Sequence, residues 1–146
     1  MQREYITFEV GGQVFGLDIM AIREIRAWTP ITRLPRVPHY VAGVVNLRGA
    51  VLPIIDLAAR LGWEPTEATP RHAIVVTQTD GQARGLIVEA VRDIVTITSE
   101  SLQPPPASAD GSIVSFIEGL AATDERMVMI LNLQAVSSGD QLAEAA

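Results

Sequence analysis

The chain repeats itself. Shifted by 69 positions, residues 12–25 lie over residues 81–94, and seven of the 14 pairs are identical: Gly12/Gly81, Gln13/Gln82, Gly16/Gly85, Leu17/Leu86, Ala21/Ala90, Arg23/Arg92 and Ile25/Ile94. Two turn signals coincide as well, Gly11-Gly12 over Asp80-Gly81. Both central positions of such a two-residue hairpin turn need positive φ. Farther on the register becomes 76, with Gly43 over Gly119, Ile54 over Ile130 and Leu57 over Leu133. The seven-residue difference is placed in the proline-rich stretch 103–112, where an insertion disturbs no core. Such a repeat predicts two copies of one small unit related by a pseudo-two-fold axis, with 12–25 and 81–94 as equivalent strands.

The unit reads as short strands. Residues 5–10 alternate, with Ile6, Phe8 and Val10 on one face and Tyr5, Thr7 and Glu9 on the other, which predicts a half-buried strand. Phe15, Leu17 and Ile19 alternate again after the Gly-Gly turn. Residues 73–79 are β-rich, and Leu86 and Val88 continue the next strand. Residues 127–131 are apolar throughout, as a strand buried on both faces would be. Each copy ends alike, an apolar strand running into Asp56 or Asn132 and then leucine and alanine. Asp and Asn side chains accept orphan backbone N–H groups, so each predicts a short helix. About five strands and a helical turn or two make a small β-barrel, and two barrels side by side share a core. One domain is expected over 1–136, with halves at about 5–62 and 72–136. Residues 62–71 read as a linker, and 137–146 as a frayed or disordered tail.

Several chemistries are excluded. With no cysteine, there are no disulfides, thiolate metal sites or cysteine nucleophiles. All 11 basic residues are arginine, so neither a Schiff-base lysine nor a P-loop lysine exists. The net charge of −6 argues against a broad nucleic-acid surface. No apolar run reaches the roughly 18 residues of a membrane span, and the N-terminus lacks a secretory apolar core. His39 and His72 read as surface histidines, and Asp124-Glu125 as a polar hairpin turn. Without a ligand cluster or a phosphate-cradling loop, no metal, nucleotide or other cofactor is expected.

Residues 43–57, GVVNLRGAVLPIIDL, read as a strand, a turn over 46–49, and a second strand with Pro53 at an edge or bulge. Arg48 is a charge in that turn between two apolar runs. Under the 76 shift its counterpart is Asp124, so the unit's fold does not require arginine there.

This stretch, with DIMAIREIRAWTPITRLP before it and RGLIVEAVRDIVTIT after it, resembles the CheW-like domain family of chemotaxis coupling proteins over about 5–136. The resemblance implies two intertwined five-stranded SH3-like barrels, with the N-terminal strand expected to cross into the other barrel. It also implies a non-catalytic adaptor between the regulatory domain of a CheA-type histidine kinase and the cytoplasmic tip of chemoreceptors. Such an adaptor is cytoplasmic and recruited to membrane receptor arrays. Ile22, Glu24 and Arg48 match positions implicated in receptor contact. Val91 is the repeat counterpart of Ile22, and Ile94 that of Ile25. Equivalent positions are expected to face each other across an apolar groove able to seat a helix, and plain core packing is the alternative for these four. Gly43 and Gly49 matter through backbone geometry if their φ is positive. A different reading also stays open, an SH3-like peptide-binding or structural module unrelated to kinase control.

Overall fold

The first half forms β1 (Gln2–Val10), β2 (Gln13–Asp18), β3 (Ile22–Ala27), β4 (Val41–Leu47), β5 (Ala50–Asp56) and a one-turn helix α1 (Leu57–Arg60). The second half repeats the series as β6 (Ala73–Thr79), β7 (Gln82–Val88), β8 (Ala90–Thr98), β10 (Ile117–Thr123), β11 (Arg126–Leu131) and α3 (Leu133–Ser137). It adds β9 (Leu102–Gln103) and α2 (Gly111–Val114) between β8 and β10. This computed structural model describes residues 2–67, 69–79, 81–105, 111–123 and 126–137. Asp80, residues 106–110 of the proline-rich stretch, Asp124-Glu125 and residues 138–146 therefore lie outside the described residues, whereas Ser137, expected in the tail, ends α3 and is buried.

Two sheets result, in the orders β8-β1-β2-β11-β10-β9 and β3-β6-β7-β5-β4. Matching strands hold matching places: β1 and β6, β2 and β7, β3 and β8, β4 and β10, β5 and β11. These are two SH3-like barrels, here the first barrel (containing β1) and the second (containing β3). The repeat segments 12–25 and 81–94 are equivalent, as expected. Each, however, is a crossover rather than a unit inside one barrel. β2 lies in one sheet and β3 in the other, joined by a 3₁₀ turn over Ile19–Ala21 whose start is capped by Asp18, accepting from Met20 N at 2.9 Å. The exchange is thus larger than one N-terminal strand. The first hairpin of each half pairs with the last strands of the other, β1 with β8 and β3 with β6. The physical reason is the short β2–β3 link, which carries the chain straight out of one sheet instead of turning it back.

β1 is buried on both faces at its middle rather than half-buried. Tyr5 packs inside the first barrel with Val14, Ile97, Ala121, Val128 and Ile130. Phe8 and Val10 enter a larger core shared by both barrels, with Phe15, Leu17, Ile55, Val75, Leu86 and Leu131. Burying side chains of this size contributes roughly 1.5–3 kcal/mol each. The second barrel has its own interior of Val45, Leu52, Ile54, Ile74, Val76 and Ile87.

The Gly11-Gly12 turn has φ of 59° and 77°, as its sequence requires. Both helix caps form as expected. Asp56 accepts from Ala59 N at 3.5 Å, and Asn132 Oδ1 from Ala135 N at 3.1 Å. Pro53 lies one residue before β5 begins its parallel pairing with β7, where a missing N–H breaks no ladder bond. Residues 62–71 are more than a linker. Thr66 donates from N and Oγ1 to the Asp56 carboxylate, both at 2.7 Å, and Trp63 packs over Gly11 and beside Phe15.

Each barrel closes in the same way. In the second, Thr32 exchanges two backbone hydrogen bonds with Val44 of β4, at 2.9 and 2.8 Å. In the first, β9 pairs with Leu120 and Ala121 of β10. A Cβ on Gly43 would meet Thr32 O, and one on Gly119 would meet Gln103 O, so Thr32 and Gln103 are counterparts. That corrects the position of the inserted residues. Two of the seven lie before Gln103, at the end of β8 and the 3₁₀ turn over Ser99–Ser101, and five follow it.

Candidate functional site

The β4–β5 hairpin turns on two residues only, Arg48 (φ 52°) and Gly49 (φ 86°), with Leu47 opposite Ala50. Asn46 Oδ1 accepts from Gly49 N at 2.9 Å and ties the loop. Gly49 is needed for its φ alone, since a Cβ there would meet nothing. Gly43 (φ 148°) is needed for space as well, because a Cβ would stand 2.1 Å from Thr32 O. Both expected backbone roles thus have a geometric cause. Arg48 is different, because a left-handed φ is costly for a residue with a Cβ.

Its side chain has a partner. Arg48 Nη2 donates to Glu24 Oε1 at 2.5 Å, and Arg26 Nη1 donates to Glu24 Oε2 at 3.2 Å. The two arginines hold the Glu24 carboxyl below its ordinary value, the Arg48 hydrogen bond most and the Arg26 bond less. Glu24 in turn raises Arg48 above its ordinary value. The Arg48 side chain is 65% exposed and Glu24 28%. A turn thus presents a guanidinium to solvent, anchored at one end. The sequence reading missed Arg26, although Glu24 and Arg26 are two apart on one strand and so share a face.

The other named residues divide. Ile22 and Val91, on matching strands, both pack partly buried against the shared core. Ile25 and Ile94 are large apolar residues left 42% and 57% exposed. Val51 and Met127, counterparts under the 76 register, are exposed too. Ile22, Glu24 and Arg48 belong to the second barrel, whereas Val91 and Ile94 lie on β8 of the first. The five candidates therefore come from both barrels, and among them Glu24 and Arg48 are bonded to each other.

Arg60 was also missed. Its Nε and Nη2 donate to Val136 O at 2.9 Å and Ala135 O at 3.2 Å. Its guanidinium lies 4.3 Å from the Tyr40 ring centre and 4.7 Å from that of Phe116. Tyr40 and Phe116 are counterparts in the 76 register, so Arg60 sits between matching rings and joins the two halves. That alignment of aromatics was the signal available in the sequence.

His39 is exposed and lies edge-on to Tyr40, while His72 accepts from Thr69 N through Nδ1 and meets Trp28 edge-on. Among the described residues no group of three or more His, Asp and Glu is placed to hold a metal.

The CheW-like domain family matches residues 4–141. The chain belongs to the CheW-like domain family. It is 50% identical over 136 residues to a probable chemotaxis protein CheW of Rhizobium etli, covering 93% of this chain and 88% of that protein. It is 48% identical over 139 residues to chemotaxis protein CheW of Rhizobium meliloti, covering 95% and 90%. The crystal structure of scaffolding protein TtCheW from Thermoanaerobacter tengcongensis is similar with a TM-score of 0.86 at 32% identity, covering 97% of this chain and 94% of that one. In this CheW-like fold the Glu24–Arg48–Arg26 cluster places one carboxylate between two guanidiniums at the surface of the second barrel.

Proposed function

We propose that the chain is a non-catalytic chemotaxis adaptor that couples the cytoplasmic tip of chemoreceptors to the regulatory domain of a CheA-type histidine kinase. Family membership supports the adaptor role, and the neighbour named a scaffolding protein supports it further. The observation that carries the receptor-facing part is Arg48: an exposed guanidinium, held by Glu24, on a turn whose backbone would be easier for another residue. Backbone strain that persists is a pointer to function. Ile22, Val91 and Ile94 are proposed as further receptor contacts, from the two barrels together. The adaptor would work at membrane receptor arrays through its partners. No helix among the described residues is long and apolar enough to cross a membrane.

The test uses one purified variant, Arg48→Glu. Receptor-tip affinity is expected to fall by roughly 1–3 kcal/mol, the loss of one charged hydrogen-bonded contact. Affinity for the kinase regulatory domain should change much less. Unchanged receptor affinity with a lowered melting temperature would make Arg48 a structural turn residue. A wild-type chain that captures neither partner would favour the peptide-binding module unrelated to kinase control.

A further inference from the structure

Glu24 is bonded twice. One carboxylate oxygen takes Arg48 and the other takes Arg26. The two arginines differ in where they stand. Arg26 is on the same strand as Glu24, two residues on, with its side chain 33% exposed. Arg48 reaches in from the turn of a different hairpin and is 65% exposed. One partner is local and sheltered, while the other is remote and open to whatever docks on the turn.

That asymmetry has a consequence for binding. A guanidinium engaged by its own carboxylate must give up that contact, wholly or in part, to satisfy an acceptor on a partner. If Glu24 had only Arg48, its release would leave a half-buried carboxylate without a counter-charge, and binding would weaken accordingly. With Arg26 in place the carboxylate keeps a hydrogen-bonded cation after Arg48 departs. We propose that Arg26 is a positioning residue that retains Glu24 when Arg48 exchanges it for an acidic or carbonyl acceptor on the partner. Arg26 touches the partner in neither state, and acts through Glu24. The proposal rests on the reading of Arg48 as a receptor contact.

The experiment measures the affinity of the full chain for a purified chemoreceptor cytoplasmic-tip fragment by calorimetry, with melting temperature in parallel. Arg26→Gln is expected to weaken binding about threefold to fivefold, the scale of a partly exposed ion pair. Its melting temperature should stay within about 2 °C of wild type. Arg26→Lys, which keeps a cation beside Glu24, should restore binding to within about twofold. In a Glu24→Gln background, Arg26→Gln should change affinity by less than about twofold, because no carboxylate remains to retain. Equal losses in both backgrounds would make Arg26 a direct contact and overturn the proposal. So would no loss with Arg26→Gln, or loss of all binding with Glu24→Gln, which would make Glu24 itself the contact. Arg48→Gln separates the two levels. If it leaves affinity unchanged, the receptor reading fails. If it weakens binding while Arg26→Gln does not, only the exchange fails.

Discussion

The mouths of the two barrels are built from matching positions and finished differently. In the second barrel Val76, Leu47 and Leu52 pack in the interior, and Glu24 bonds Arg26 along its own strand and Arg48 from the β4–β5 turn. In the first barrel the counterparts are Thr7, Thr123, Val128, Asp93 and Val95. There a cavity of about 430 Å³ stays open, rimmed by Arg92 and Arg126. Its lining is smaller at Thr123 and Val128 than at Leu47 and Leu52, and Val95 stands where the second barrel has Arg26. The same strand order is thus stable with or without the three-charge cluster. The cluster is not a requirement of the fold, and its reason has to be sought in what the second barrel touches.

The largest expected effect probes closure rather than charge. Gly43→Ala places a Cβ 2.1 Å from Thr32 O at a φ of 148°, and Gly119→Ala places one 2.7 Å from Gln103 O. Backbone must move in both, but only Gly43 combines the clash with a strained φ. Urea unfolding should show a loss of more than about 3 kcal/mol for Gly43→Ala and roughly 1–2 kcal/mol for Gly119→Ala. Equal losses would show that the positive φ of Gly43 adds nothing to the clash.

Thr7→Val comes next. It copies the residue of the second barrel, Val76, into the first. Thr7 Oγ1 accepts from Asp93 N at 3.1 Å and donates to Asp93 O at 3.2 Å, filling a bulge where β1 and β8 slip register. Valine would leave that N–H without its acceptor, so a loss of about 1–2 kcal/mol is expected despite the better apolar match. A gain in stability would show that water in the open mouth replaces the hydroxyl.

How much of this could be read beforehand differs by kind of information. The repeat was legible because identical residues such as Gly16/Gly85 and Leu17/Leu86 meet identical demands in each barrel. The hairpin turns and helix caps were legible because they are local. The full strand exchange was not, because pairing β1 with β8 or β3 with β6 is a choice between distant partners with the same apolar pattern. Glu24 and Arg48 were singled out together by the family resemblance as receptor-contact positions, but their bond to each other is visible only in the fold. The left-handed backbone of Arg48 had no local signal, since such turns usually announce themselves by Asn or Gly at that position. The bonds of Thr66 to Asp56 and of Arg60 to the α3 carbonyls were hidden for the same reason as the exchange: they join segments that only the folded chain brings together.

Arg48→Asn tests the strain directly, with a smaller effect. Asn-Gly is the pair such a turn prefers, so the variant should gain up to about 1 kcal/mol, or about 4 °C in melting temperature. Receptor affinity should fall as it does for other Arg48 variants. A variant that is more stable and still binds would remove the functional account of the strained arginine. A variant that is less stable would mean that the Glu24 pair contributes more to folding than an exposed ion pair normally does.

The smallest effect is a difference in pH response between matching core positions. Tyr5 of the first barrel corresponds to Ile74 of the second, so only one interior carries a titratable group there. Burial raises the Tyr5 hydroxyl above its ordinary value of 10, and the nearby Asp18 and Glu118 carboxylates add to this while Arg3 opposes it. The folded chain therefore holds the phenol proton more tightly than the unfolded chain does. That contribution is fully present below pH 10 and is lost as the pH rises through the higher folded value. Tyr5→Phe should leave a stability profile that falls less steeply above pH 10 than that of wild type, with the two curves running parallel at neutral pH. An Ile74→Phe control changes a core side chain without adding or removing a proton, and should keep the wild-type alkaline slope. If Tyr5→Phe keeps that slope too, the alkaline loss arises outside the first barrel, and the two interiors respond to pH alike.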